Sequence, residues 1–357
     1  MSRSFMLLAA LSLTALPSAA HHSFNLNFDM TREIELRGTV VDFKLRSPHS
    51  SMVIEGQQYV DGMPLGEPAR WEVESFANAG LHAMGVRADT FKAGDAITLI
   101  ANPNRDEAFR FVNSSTFITP ARSYSRADMQ QPQRASAADV ADSGGIARLA
   151  GRWQSPGAFG NGSPLPLNAL GKAAQAAFEP RLSPANTCEP MNFPDIFLAP
   201  YPIELRVEDD TVVIFNAPWE VERRIPLDGQ PLRPRIDGLF GVVRGSVDGD
   251  SIVLESGGFV PSGWGLGSAT QQLGGGSDIP SSVQKQLTER FSVSADGLTL
   301  VYEYTLRDPV YLEGAYTGRL ELYRIANDAP IAPYDCEVES SSMFSRSAGD
   351  AALQTGD

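Results

Sequence analysis

The residues best suited to metal chemistry are four histidines, all of which lie before residue 83. His21 and His22 follow a stretch with the form of a secretory signal, so cleavage after Ala20 would make His21 the first residue of the mature chain. Its amine and imidazole nitrogens together suit Cu(II), and a cut one or two residues earlier would create a square-planar set of nitrogen ligands. His49 and His82 would complete this site if the fold brought them close.

A simpler interpretation of these histidines needs no metal. His21 and His22 would then provide only a cleavage context on a mobile tail. His49, which follows Pro48, would cap a turn, and His82 would lie on one face of a short helix. The sequence leaves both interpretations open.

A second candidate chemistry is acid–base catalysis in the C-terminal half. Glu289, Arg290 and Asp308 lie on or beside predicted strands. Because successive strand residues face opposite sides, Glu289 and Phe291 share one face and Arg290 takes the other. A Glu289 side chain inside a dry barrel would suit a general acid or base. The alternative is that these side chains form solvated cross-strand pairs.

A third candidate is an aromatic pocket for a small apolar ligand. It would be lined by Trp153, Trp219, Trp264, Tyr302 and Tyr304. Such residues can equally form the core of a barrel. Trp264 is predicted to be the exception, because a tryptophan in a glycine-rich stretch has little local core to join, so it would act as a lid.

The N-terminus and the cysteines indicate an oxidising compartment. Residues 1–20 combine Arg3, an apolar run over 6–16 and small residues before the cut, which predicts a signal peptide and a periplasmic or secreted protein. Cys188 and Cys336 are then expected to form one disulfide. Two free buried thiols are the alternative.

Composition excludes several classes of function. The chain of 357 residues has 29 basic and 43 acidic residues, a net charge of −14, which argues against nucleic acid or an anionic membrane as partner. After the signal no run reaches the roughly 18 apolar residues of a membrane helix. The sequence also contains no phosphate loop, nucleotide fingerprint, serine-centred elbow or Cys-x-x-Cys pair.

The strand pattern predicts a mainly β protein of two domains. Residues 21–121 carry five strands with a helix between the third and fourth, the order of an OB-type barrel. Residues 122–146 have the composition of a linker. Residues 147–340 carry about eight strands, which favours a larger antiparallel, lipocalin-like barrel, with a long strand-free loop over 262–284. Residues 341–357 are predicted to be a disordered tail.

The N-terminal region resembles a family of secreted bacterial domains of unknown function. The resemblance rests on His-His-Ser-Phe at 21–24, Gly-Thr-Val at 38–40, Ser-Pro-His at 47–49 and Trp-Glu at 71–72. Ser47 replaces the asparagine that is usual in this family. The resemblance implies export and carries no activity.

The C-terminal region is similar to large, uncharacterised secreted β-proteins of bacteria. It shares with them Gly-Arg-Trp at 151–153, the stretches 186–190 and 223–229, and Glu-Arg-Phe at 289–291. Relatives often have histidines in two stretches that read Gln-Pro-Leu-Arg and Ile-Pro-Ser-Ser here. Gly-x-Trp at the start of a barrel also resembles lipocalins.

These observations predict an exported protein whose second barrel binds a small apolar molecule, with a subsidiary copper site at His21. The first alternative is a cofactor-free lyase, hydratase or isomerase that uses barrel carboxylates. The second is a copper-handling protein of the periplasm. The sequence makes no prediction of oligomeric state.

Overall fold

The computed structural model describes residues 27–106, 108–129, 134–136, 140, 144–155, 164–199, 201–232, 239–269, 271–329 and 331–342. Among these residues the chain is mainly β-sheet and forms two barrels, which confirms the predicted fold class. No helix in these ranges is both long and apolar enough to cross a bilayer.

The first barrel, called here the small barrel, consists of β1 (Ile34–Lys44), β2 (Ser51–Val60), β3 (Met63–Glu74), α1 (Asn78–Ala83), β4 (Ala96–Pro103), β5 (Phe111–Ile118) and β6 (Ser123–Tyr124). Strand β1 pairs with β2 and β4, and β4 pairs with β5. Strand β5 returns in parallel to β3 and closes the sheet. This is the strand order of an OB-type barrel.

Alternating residues of the small barrel fill its interior. Leu36, Ile54, Val73, Leu99 and Phe117 are fully buried in one apolar cluster. Because strand residues alternate between faces, these positions come from the inward face of each strand in turn. The interior is therefore closed by the side chains of its own strands.

The second barrel, called here the large barrel, consists of β7 (Gly151–Gln154), β8 (Pro202–Glu208), β9 (Thr211–Asn216), β10 (Val221–Pro226), β11 (Val242–Asp248), β12 (Ser251–Gly257), β15 (Gln286–Val293), β16 (Thr299–Arg307) and β17 (Tyr316–Ile325). A separate hairpin, β13 (Ser262–Gly267) and β14 (Ile279–Ser281), lies between β12 and β15. The nine strands form an antiparallel meander in which β7 joins β8 to β17. The prediction of about eight strands missed β7, which has only four residues.

The ends of this meander meet between β10 and β11. The backbone N–H of Gly229 donates to the Gly245 carbonyl at 2.9 Å. Leu232 and Val243 form an isolated bridge beside it. The sheet is therefore nearly closed.

The large barrel has one end with tight turns and one covered by long connections, called here the plugged end. The connections at the plugged end include α2 (Ala169–Ala176) and several 3-10 helices. Over its whole described length the chain has 3-10 helices at Arg126–Asp128, Gly145–Leu149, Pro180–Leu182, Pro184–Thr187, Asp195–Leu198, Pro218–Glu220 and Gln272–Gly274. The segment Met191–Ala199, called here the plug, packs inside the barrel, where the Phe197 ring lies 4.4 Å from the Tyr302 ring between centroids.

The prediction of a strand-free loop over 262–284 is wrong. Glycines there allow close backbone contact rather than flexibility. A Cβ on Gly267 would lie 2.6 Å from the backbone nitrogen of Gly274, and one on Gly265 would overlap Ser281. The glycine-rich sequence thus folds into a compact hairpin.

The C-terminal segment connects the two barrels. The disulfide between Cys188 and Cys336 is present, with a sequence separation of 148 between the two cysteines, so the prediction of a single disulfide is confirmed. Residues 333–341, which include α3 (Val338–Ser341), then contact the small barrel. Ser47 bridges to Cys336, and Arg46 pairs with Asp335 at 3.0 Å. The disulfide is typical of proteins in oxidising compartments.

Candidate functional site

Four aromatic rings meet at the plugged end, where the chain passes from β9 to β10. The Trp219 ring lies 4.8 Å from Tyr334 and 6.0 Å from Trp264, between centroids. Tyr201 lies 5.7 Å from Tyr334. These four residues, together with Asn216, are called here the aromatic corner.

The backbone of the aromatic corner adopts a conformation that side chains rarely tolerate. Trp219 and Glu220 are consecutive non-glycine residues with φ of 56° and 53°. Each such residue costs on the order of 1 kcal/mol or more, and such strain concentrates at functional sites. The strain fixes the half-buried Trp219 ring against Tyr334 instead of letting it follow the strand.

The aromatic corner also contains buried polar atoms without partners in the described part of the chain. Asn216 is fully buried, and neither its Nδ2 nor its Oδ1 has a hydrogen-bond partner. The Trp219 Nε1 is likewise buried and unpaired. A buried polar group left unpaired costs about 1–3 kcal/mol. Three unpaired atoms within four residues of sequence therefore suit a bound molecule with complementary groups.

A groove of about 370 Å³ opens beside the aromatic corner on the outer surface of the large barrel. Its lining includes Phe215, Ala217 and Glu220 from the same β9–β10 connection, and residues 331–333, which precede Tyr334. Arg152 and Arg206 also line it and are both bonded to Glu204. The groove is thus lined in equal parts by apolar and by charged residues, and it lies next to the corner in the chain.

Trp264 lies in the hairpin strand β13 and not in a mobile lid. Its side chain is 1 % exposed, and its Nε1 donates to Glu189 at 3.2 Å. The expectation that it has little core to join is wrong, because the hairpin and the aromatic corner provide that core. Its ligand-binding role stays a prediction.

The other three predicted pocket aromatics are core residues of the large barrel. The Trp153 Nε1 donates to the Leu149 carbonyl at 3.0 Å, with the Arg324 guanidinium 4.1 Å from the ring centroid. Tyr302 packs on the plug. Tyr304 lies 5.5 Å from Tyr302 between ring centroids. These three rings therefore pack within the barrel, whereas Trp219 and Trp264 pack against each other at the aromatic corner.

Glu289 faces the interior of the large barrel, as the strand alternation predicts. Its two carboxylate oxygens accept from Arg223 at 2.8 and 3.0 Å, and Tyr302 donates a third bond at 3.0 Å. Arg223 in turn stacks on Phe193 of the plug, 3.6 Å from the ring centroid. Sequence alone did not show that Arg223 is the partner of Glu289.

The other two predicted catalytic residues lie apart from Glu289. Arg290 points outward and pairs with Asp248 at 2.7 Å, as a partly exposed cross-strand pair. Asp308 is buried just beyond the end of β16, where it accepts from the backbone N–H and the hydroxyl of Ser282 at 2.6 and 2.8 Å. The structure does not group these three residues into one site, and their catalytic role stays a prediction.

Two buried ionisable groups of the plugged end were not singled out from the sequence. Burial lowers the pKa of Lys285 to about 7 and raises the pKa of Asp195 to about 7. The Lys285 ammonium donates to three oxygens, those of Asn192, Phe193 and Gly265. Nothing in the sequence around either residue distinguishes them from surface charges, because their burial depends on the plug.

The histidines do not converge where the structure describes them. The His49 Nδ1 lies 3.0 Å from Glu74, whose side chain is buried in the small barrel. Burial and the Arg87 charge lower the pKa of His82. Among the described residues no group of three or more His, Cys, Asp or Glu could hold a metal. His21 and His22 lie outside the described residues, so the predicted copper site stays a prediction.

Comparison with known protein families gives a match for the N-terminal part of the chain. Residues 9–111 match a family of unknown function, DUF6152. This range includes β1 to β4 of the small barrel and stops before the large barrel begins. No curated protein matches the chain. The N-terminal part is therefore similar to a family that brings no activity with it.

Proposed function

We propose that the protein is an exported binding protein that takes up a small, largely apolar molecule at the aromatic corner. The observation that carries the proposal is that Asn216 and Trp219, three residues apart, have buried polar atoms without partners in the described chain, and that the Trp219 ring packs against Trp264 and Tyr334. Apolar walls with a few convergent polar groups are the usual composition of a small-molecule site.

The polar atoms limit what the ligand carries. The Asn216 amide offers a donor and an acceptor, and the Trp219 indole offers a donor. A carboxylic acid or an amide on an otherwise apolar body would satisfy both. A surface groove lined by Ala217 and residues 331–333 lies next to the same β9–β10 connection.

The proposed set of ligand-binding residues differs from the set predicted from the sequence. Trp219 and Trp264 remain, and Asn216, Tyr201 and Tyr334 join them. The centre of a lipocalin-like barrel would hold its ligand among inward side chains, but here the plug and the Arg223–Glu289 pair occupy that space. The proposed site therefore lies at the plugged end.

Export is part of the proposal. The signal-like residues 1–20 and the His-His-Ser-Phe sequence support it, and the disulfide fits it. A cut after Ala20 would also expose the proposed copper ligands of His21. Acetylation of the free N-terminal amine should then abolish tight, stoichiometric copper binding, because that amine is one of the proposed nitrogen ligands.

Binding of anilinonaphthalene sulfonate, an apolar dye with an acceptor group, tests the site. The dye's own fluorescence reports affinity. Trp219→Phe keeps a ring and removes the N–H, so affinity should fall roughly tenfold, as the loss of one hydrogen bond predicts. Trp153→Phe, the matched control in the barrel core, should leave affinity unchanged. Equal affinity in the two variants, or no binding to the native protein, would refute the proposal.

A further inference from the structure

A lysine and an asparagine meet in the plugged end away from water. The Lys285 Nζ lies 3.0 Å from the Asn192 Oδ1, and both residues are 0 % exposed. Lys285 comes immediately before β15, and Asn192 belongs to the plug. The contact therefore joins two segments that are 93 residues apart.

The Asn192 amide is held in one orientation. Its Nδ2 donates to the Leu239 carbonyl at 3.1 Å, and its Oδ1 also accepts from the backbone N–H of Phe193 at 2.9 Å. A backbone donor on a carbonyl oxygen stabilises the negative charge that develops there when a nucleophile attacks the carbon. The amide is thus fixed and polarised beside an amine.

The buried surroundings of Lys285 and Asp195 favour the neutral amine and the neutral carboxyl, between which a proton can be transferred. The Phe259 ring centroid lies 4.6 Å from the Lys285 Nζ. Burial lowers the pKa of Lys285 to about 7, so a large fraction of the amine is neutral and nucleophilic near neutral pH. Asp195 interacts electrostatically with Lys285, and burial raises its pKa to about 7, so it can hold a proton. The Asp195 Oδ1 has no hydrogen-bond partner in the described chain.

From this arrangement we infer that Lys285 and Asn192 form an intramolecular amide bond. The Nζ lone pair attacks the Asn192 Cγ, the Nζ–Cγ bond forms, and the Cγ–Nδ2 bond breaks. A proton passes from Nζ to Nδ2 by way of Asp195, and ammonia leaves. The step needs no oxidant, reductant or metal, and every atom is accounted for by the two side chains.

The bond would lock the plug into the barrel. It would tie Asn192 to the start of β15, while the disulfide ties the neighbouring Cys188 to the C-terminal segment. Together the two crosslinks would anchor the chain at Cys188 and at Asn192, where it enters the large barrel. The linked protein should resist unfolding even after its disulfide is reduced.

Intact mass spectrometry of the full protein from its native source, after disulfide reduction, tests the inference. The expected mass is lower than that of the unlinked mature chain by one ammonia, and proteolysis should yield one peptide that joins Asn192 to Lys285. A mass equal to that of the unlinked chain would overturn the inference and leave Lys285 as a buried ammonium with three oxygen acceptors.

Variants separate this bond from other modifications. Lys285→Arg should abolish the joined peptide. Lys172→Arg is the control, because Lys172 is exposed on α2, and this variant should retain the joined peptide. Asn192→Asp should still link, by losing water, and should reach the same final mass. Asp195→Asn should slow the linkage. If the variants fail to fold, the mass of the native protein alone decides, and joined peptides that persist in Lys285→Arg would also contradict the inference.

Discussion

The two barrels close by the same pairing rules but fill their interiors differently. The small barrel has an apolar interior built from its own strands, as Leu36 and Leu99 illustrate. The large barrel contains the ion pair of Arg223 and Glu289, with Lys285 buried nearby. The number of strands explains this difference.

Barrel diameter grows with strand number. In the small barrel the five strands β1 to β5 close on themselves and enclose a space that inward side chains can fill. The nine strands of the large barrel leave room for further chain, here the plug. An inserted segment brings backbone carbonyls and amides that cannot be left unpaired. Lys285 bonds to the Phe193 carbonyl for this reason, and Arg223 packs on the Phe193 ring. Polar groups inside the large barrel are thus a consequence of its size.

The largest effect is expected from removing one partner of the buried ion pair. Glu289→Gln keeps the shape but leaves the Arg223 charge buried without a counter-charge, which should lower the free energy of unfolding by about 3–5 kcal/mol. Urea unfolding measures this change. Glu303→Gln is the control, since Glu303 pairs with Arg319 on the exposed face of the neighbouring strand, and it should cost less than about 1 kcal/mol. Similar costs for both variants would mean that the interior pair does not stabilise the barrel.

A smaller effect, confined to the other barrel, is expected from truncating an apolar residue. Leu99→Ala removes buried methyl groups from the small barrel and should cost about 2–5 kcal/mol, towards the lower part of that range if the cavity collapses. Hydrogen exchange should accelerate in β1 to β5 and stay unchanged in β15 to β17. Equal acceleration in both barrels would show that they unfold as one unit.

The smallest effect is a dependence of stability on pH that arises in the large barrel. Burial raises the pKa of Asp195 to about 7, while an unfolded aspartate titrates near 4. Between these values the unfolded chain loses its proton first, so stability contributed by Asp195 falls as pH rises, by at most about 1.4 kcal/mol per pH unit.

Comparing the native protein with Asp195→Asn measures this contribution together with the change that the loss of the Asp195 charge causes in the titration of Lys285. Calorimetric unfolding at pH 5 and pH 7 should show a larger loss of stability for the native protein than for the variant. A pH dependence that is identical in both proteins would exclude Asp195 as its source.

The features that depend on local sequence pattern were predictable from the sequence. The segment order gave the OB-type barrel, and period-two alternation placed Glu289 inward and Arg290 outward. The cysteine pair gave the disulfide. Each of these follows from residue spacing or from residue type alone.

Features that depend on long-range insertion were not predicted. The plug enters the barrel only because nine strands leave space, so the burial of Asp195 and Lys285 had no local indication. The glycines near Trp264 were interpreted as a loop, because close backbone contact and flexibility select the same residue. The positive φ of Trp219 and the Asn216 amide, which lacks a partner in the described chain, likewise arise only when the aromatic corner has folded.

Native mass spectrometry of the protein isolated from its own source tests the proposed binding site most directly. The proposal predicts a bound small molecule, released on denaturation, that is retained by Trp153→Phe and lost from Asn216→Leu. A native protein that carries no small molecule, or an Asn216→Leu variant that retains it in full, would contradict the assignment of the aromatic corner.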